Sequence, residues 1–89
     1  MNKYTPGPWK LERTDAPRGW IVSAHGGSYD IAIVRDGSGL PENGYNARLI
    51  EAAPELLDAL EYAIKQVPEL ATVPGIAAAI AKATGDTNE

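Results

Sequence analysis

Tyr45, Asn46 and Arg48 stand together where a helical stretch should open, and their types suit an anion that carries a planar base. A guanidinium meets phosphate oxygens with two parallel donors, an aromatic ring stacks on a base, and free helix-terminal N–H groups add further donors. Asn46 is also a good N-cap, because its side-chain oxygen accepts from the first-turn N–H groups. Arg48 in a first turn would oppose the helix dipole. Chains tolerate that when the residue packs, pairs with an acid such as Glu42 or Glu51, or binds an anion. Arg18, two residues from Trp20, and Arg35, at the end of an apolar run, add two further cations that could converge with Arg48 on one ligand from neighbouring subunits. Trp20 and Trp9 suit either the core of a short sheet or the floor of a base-binding site.

Residues for catalysis or metal binding are sparse. The chain has one histidine and no cysteine, which excludes thiol nucleophiles, disulfide staples and zinc ribbons. Ser23 or Ser28 could be set beside His25 and Asp30 on paper, but no nucleophile elbow surrounds them. The glycine-rich run Asp36 to Gly44 lacks the Gly-Lys-Ser/Thr ending of a phosphate loop. Its composition suits a connector, or a lid over a site near Asn46. Neither an enzymatic activity, nor a metal, nor a cofactor is expected.

The elements that would position these residues follow from periodicity. Leu49, Ala53, Leu56, Leu60, Ala63 and Val67 recur at spacings of four and three, with Ile50, Leu57 and Ile64 beside them. That pattern predicts a wide apolar stripe on a helix, which must be buried. Pro54 predicts a kink or restart, so one helix runs from about Asn43 or Asn46 to Ala53 and a second from there to about Gln66, stopped by Pro68. A third begins near Thr72 to Pro74 and ends at Gly85. Ahead of the helices, Trp9 to Arg13, Trp20 to Ala24 and Ile31 to Val34 have strand-like composition. Asp15 to Gly19 and His25 to Ser28 supply turn chemistry between them. The expected fold is α+β, a three-stranded antiparallel meander over residues 1–36 and two to three helices over 43–85, in a single domain. Residues 86–89 are expected to fray.

Eighty-nine residues with many alanines and no phenylalanine make a marginal core. A small core with a long apolar stripe favours a homo-oligomer joined through the C-terminal helices. The net charge is −4, with residues 49–89 holding the excess acid and residues 1–48 slightly basic. Binding to duplex nucleic acid is not expected from that balance. The start has no secretory signal pattern, and no segment has the length of a membrane span. A soluble protein of the host-cell cytoplasm, without a membrane partner, is the expectation.

Two motifs carry a resemblance. TPGPW (Thr5 to Trp9) and NARLIEAAPELLDAL (Asn46 to Leu60) resemble a widespread group of small phage and prophage proteins with a TPGPW opening, a short β region and an NARLI-x-AAPELL helix. The layout is also similar to the phage anti-Thoeris sponge family, oligomers that sequester cyclic ADP-ribose signals, some of which hold cyclic oligonucleotides. This chain is shorter than members of that family. The similarity implies that Asn46 and Arg48 bind ligand and that aromatics of the sheet stack on a base. The function it implies is a non-enzymatic phage binding protein that removes a nucleotide-derived immune signal, with each site shared between subunits. The alternative is an inhibitor of a host defence protein, anti-CRISPR-like, that works through the acidic helical surface.

Overall fold

A computed structural model describes residues 4–15, 18–36 and 39–85. Strands β1 (Lys10–Asp15), β2 (Arg18–Ala24) and β3 (Tyr29–Arg35) form an antiparallel sheet in the order β1-β2-β3. Helices α1 (Glu42–Glu51), α2 (Ala53–Gln66) and α3 (Pro74–Thr84) follow, with a short 3-10 segment at Pro68–Thr72. This is the α+β meander-then-helices order that the periodicity predicts. The strands run one to two residues beyond the apolar runs at most ends, so Asp15, Arg18 and Gly19 pair in the ladder. The centre of the first expected turn and the expected fraying at 86–89 fall outside the described residues.

The chain divides into two compact units, one spanning Thr5–Pro54 and the other holding Tyr4 and the chain from Glu55 onward. The division falls within the helical stretch, and α1 belongs with the sheet.

In the first unit, cross-strand partners fix which side chains share a face. Arg13, Trp20 and Val34 stand opposite one another, as do Leu11, Val22 and Ala32. α1 packs on this face. Val22 and Ala47 are fully buried, and Ala24 nearly so. The small side chain of Ala47 and the absence of one at Gly44 let the helix lie close to the strands. A Cβ on Gly44 would stand 3.3 Å from Trp20 Cζ2. β1 is an edge strand, and its free Leu11 N–H donates to Glu51 Oε2 at 3.0 Å, which removes one unpaired edge donor. Gly19, with φ 154°, is fixed by a close approach, since a Cβ there would stand 2.1 Å from the Val34 carbonyl oxygen. Trp9 is half-buried and donates Nε1–H to the Thr5 carbonyl at 3.0 Å.

Helix α1 departs from expectation in phase. It begins at Glu42 with Pro41 as its N-cap residue, so Asn46 lies inside the helix and caps nothing. Arg48 sits in the last turn, where a cation favours the helix dipole. The start at Glu42 lies one residue before Asn43, the earlier of the two expected starts, so the helix takes in the last residues of the glycine-rich run. Gly44 and Ala47 face the sheet and Glu51 reaches its edge, whereas Leu49 is 62% exposed. The predicted stripe therefore does not pass through Leu49. The backbone changes phase at Ala52, the C-cap residue between α1 and α2, as Pro54 requires.

In the second unit α2 ends at Gln66 and Pro68 starts the 3-10 segment. α3 stops at Gly85 in the left-handed region, φ 75°. No described residue of this unit is buried. Ile64 and Ile80 are half-buried and line open grooves of about 660 Å³ and 310 Å³ between the helices. Leu56 and Val67 remain 53% and 47% exposed. No helix is long and apolar enough to cross a membrane among the described residues.

Candidate functional site

The first unit gathers charge around one ring. Strand pairing puts Arg13 directly opposite Trp20, and the Arg13 guanidinium carbon lies 4.3 Å from the indole centroid. At this distance the cation is held by the ring quadrupole. Gly44 closes on the benzo edge of the same ring, and Arg48 Nη1 lies 3.6 Å from where a Gly44 Cβ would be. Arg48 follows Gly44 by four residues on α1, which sets both on one helix face.

Asp36, just past β3, organises the rest. Its backbone N–H donates to the Arg18 carbonyl at 3.0 Å. Its carboxylate is 8% exposed, with Oδ2 3.4 Å from Arg13 Nη2 and 3.9 Å from Arg18 Nε. Asn43 Nδ2 donates to Oδ1 at 3.2 Å. A buried carboxylate needs such partners to offset its lost hydration. The arginine side chains stay open to water, Arg13 at 47% and Arg18 at 70% exposed. Arg13, Arg18 and Arg48 outnumber the carboxylates of Asp36 and of Asp15, which stands opposite Arg18 in the ladder, and the Arg13 cation lies over an indole ring.

Of the residues expected to bind ligand, Arg18, Trp20 and Arg48 come together here. Arg35 does not. It pairs with Gly19, whereas Val34 pairs with Trp20, so the alternation of the strand sends Arg35 to the opposite face. Tyr45 and Asn46 are exposed on α1, Tyr45 at 69%, turned away from the buried Gly44 and Ala47. One face of Trp20 is already covered by Arg13, so the outward stacking surface is the guanidinium rather than the indole. Arg48 forms no ion pair with Glu42 or Glu51 among the described residues; Glu51 meets Leu11 instead.

The contributors not foreseen are Arg13, Asp36, Asn43 and Gly44. Arg13 was legible, because WKLER alternates and sets Arg13 on the face of Trp9 and Leu11. Asp36 carries no such signal, since an acid in a glycine-rich run normally faces water.

The histidine turn shows no catalytic arrangement. Ser28 Oγ donates to the backbone carbonyl of His25 at 2.9 Å, not to its ring. The His25 ring lies 6.3 Å from that of Tyr29. Ser23 Oγ is buried without a hydrogen-bond partner. No group of three metal-ligating side chains occurs among the described residues.

A family profile described as Salmonella phage P22 protein Y8K6 matches residues 1–87. The chain belongs to this family. The match spans the sheet, the arginine–tryptophan cluster and all three helices, and the family is one of phage proteins. No curated protein and no solved structure matches the chain.

Proposed function

We propose that this phage protein is a non-enzymatic binding protein that sequesters a nucleotide-derived signal, of the cyclic ADP-ribose or cyclic oligonucleotide type, and so counters a bacterial antiviral defence. The observation that carries the reading is the Arg13–Trp20 stack with Arg18 and Arg48 beside it. A guanidinium held over an indole ring is a cation to which phosphate oxygens bind through its N–H groups, and arginine side chains also stack on bases. Asp36 fixes Arg13 and Arg18 before ligand arrives, which lowers the ordering cost of binding. Hydrogen bonds to charged groups contribute about 1.5–3 kcal/mol each, against about −12 kcal/mol for nanomolar capture. One chain's cluster therefore suits micromolar binding, and tighter capture takes donors from a second subunit.

A second reading, inhibition of a host protein through the acidic helical surface, draws on the groove lined by Asp58, Glu61, Tyr62 and Lys65. Tyr62 is 64% exposed there, and tyrosine is enriched among the anchor residues of protein interfaces.

Uptake distinguishes the two. The protein is incubated with cyclic ADP-ribose and a panel of cyclic dinucleotides, freed of unbound ligand, heat-denatured and its supernatant analysed. The proposal expects one ligand returned unchanged, and expects Arg13→Ala with Arg48→Ala to abolish uptake while the protein stays folded. A chemically altered product, or no retention of any ligand, goes against it.

A further inference from the structure

The exposed apolar stripe of α2 has a symmetry of its own. Leu56, Leu60, Ala63 and Val67 are spaced four, three and four residues apart, a pattern that reads the same from either end about the point between Glu61 and Tyr62. At 3.6 residues per turn the four fall within an arc of about 60°. Val67 is reached by the helix ladder, since its N–H donates to the Ala63 carbonyl at 2.8 Å. Leu56 and Val67, the outer pair, are 53% and 47% exposed, and Leu60 and Ala63 are half-exposed between them.

We infer that a second copy of this chain covers the stripe, α2 lying antiparallel on α2 about a two-fold axis near residues 61 and 62. In that register Leu56 of each copy meets Val67 of the other, and Leu60 meets Ala63, so large and small side chains alternate across the seam as close packing requires. A two-fold interface uses the same patch twice and must be self-complementary, and a stripe with this internal symmetry is. Charge agrees. Glu55, Asp58, Glu61 and Lys65 all lie at least about 80° of helix rotation from the stripe's edge, so the pairing brings no like charges together. Asp58, Glu61 and Lys65 line the groove beside Ile80 instead.

The area sets the strength. Two helices about 21 Å long laid side by side cover roughly 900 Å² in total, below the about 1,200–2,000 Å² of stable interfaces. An interface of that size fits a weak, reversible dimer. The inference is independent of the ligand reading, whose residues lie in the other unit.

The chain has no cysteine, so cross-linking is clean. Leu56→Cys and Val67→Cys proteins, each checked for parental circular dichroism, are oxidised mildly, alone and mixed. The inference expects a disulfide-linked pair in the mixture and little in either protein alone. A parallel pairing would link each variant to itself, and that result overturns the proposed register. Sedimentation from 1 µM to 500 µM should show the parent passing from monomer to dimer, Leu56→Lys remaining monomeric at least tenfold higher in concentration, and Leu56→Lys with Val67→Glu regaining the dimer. A parent that stays monomeric throughout, or a Leu56→Lys protein that associates as the parent does, overturns the inference.

Discussion

Replacing Asp36 with asparagine tests whether this carboxylate holds the cluster together. The change keeps the shape and leaves the backbone bond from residue 36 to the Arg18 carbonyl intact. It removes the charge that faces Arg13 at 3.4 Å and Arg18 at 3.9 Å. The Arg18 contact is long and its side chain is 70% exposed, so it contributes about 0.3 kcal/mol after screening. The Arg13 contact is shorter and the donor half-exposed, about 0.5–1 kcal/mol. Loss of charge assistance in the bond from Asn43 adds about 0.5 kcal/mol. The expected cost is about 1–2 kcal/mol. For a domain of this size that lowers Tm by roughly 4–15 °C. Both tryptophans lie in the Thr5–Pro54 unit, so indole fluorescence on heating follows this unit. The deficit should shrink at 1 M salt, where the Debye length is about 3 Å. A variant within about 0.3 kcal/mol of the parent at low salt would refute the assignment of Asp36 as the organising group.

Other substitutions probe the frame. Gly19→Ala would drive a Cβ to 2.1 Å from the Val34 oxygen at φ 154°; a loss of at least about 2 kcal/mol in the same fluorescence melt is expected. Glu51→Ala strips the acceptor from Leu11 N–H and should cost about 1 kcal/mol, with Glu51→Gln restoring most of it, as read by denaturant titration. Ala47→Leu, at a fully buried position, should destabilise by about 1–3 kcal/mol, whereas Tyr45→Ser, at a 69% exposed one, should change stability by less than about 0.5 kcal/mol. Desolvation first, then the carboxylates of Asp58 and Glu61, raise the Tyr4 phenol above 10.0. The folded state thus favours its protonated form. That contribution is complete below pH 10.0 and is lost as pH rises through the raised value. Helical circular dichroism should show the parent losing its advantage over Tyr4→Phe in that alkaline window.

The parts of the fold that periodicity determines were legible in the chain. Alternation in WKLER and the apolar runs WIVSA and IAIV located the strands, and prolines 54, 68 and 74 located the helix breaks, because each removes a donor the helix needs. The start of α1 was legible only as a choice between Asn43, one residue from the observed start, and Asn46. Glu42 to Gly44 look like loop in isolation, and the fit that favours glycine inside the helix, where a Cβ would crowd Trp20 Cζ2 at 3.3 Å, is not visible in composition. That shift of phase took Tyr45 and Asn46 away from the cluster and left Arg48 in it. The face that Arg35 takes is not legible for a different reason. Which face a strand residue takes depends on register, and the pairing of Gly19 with Arg35 is not visible in composition. Asp36 gives no signal in the chain, because its partners Arg13, Arg18 and Asn43 are gathered only by the fold.

The proposed binding of an anionic, base-bearing ligand beside Arg13 and Trp20 is tested by nitrogen-15 spectra recorded while cyclic ADP-ribose, and then each cyclic dinucleotide, is added. For one of these probes the Trp20 indole N–H and the Arg13 and Arg48 guanidinium signals are expected to move together and saturate, while the Trp9 indole stays in place. Saturable shifts confined to α2 and α3, or no shift at Trp20 with any probe at millimolar concentration, would contradict it.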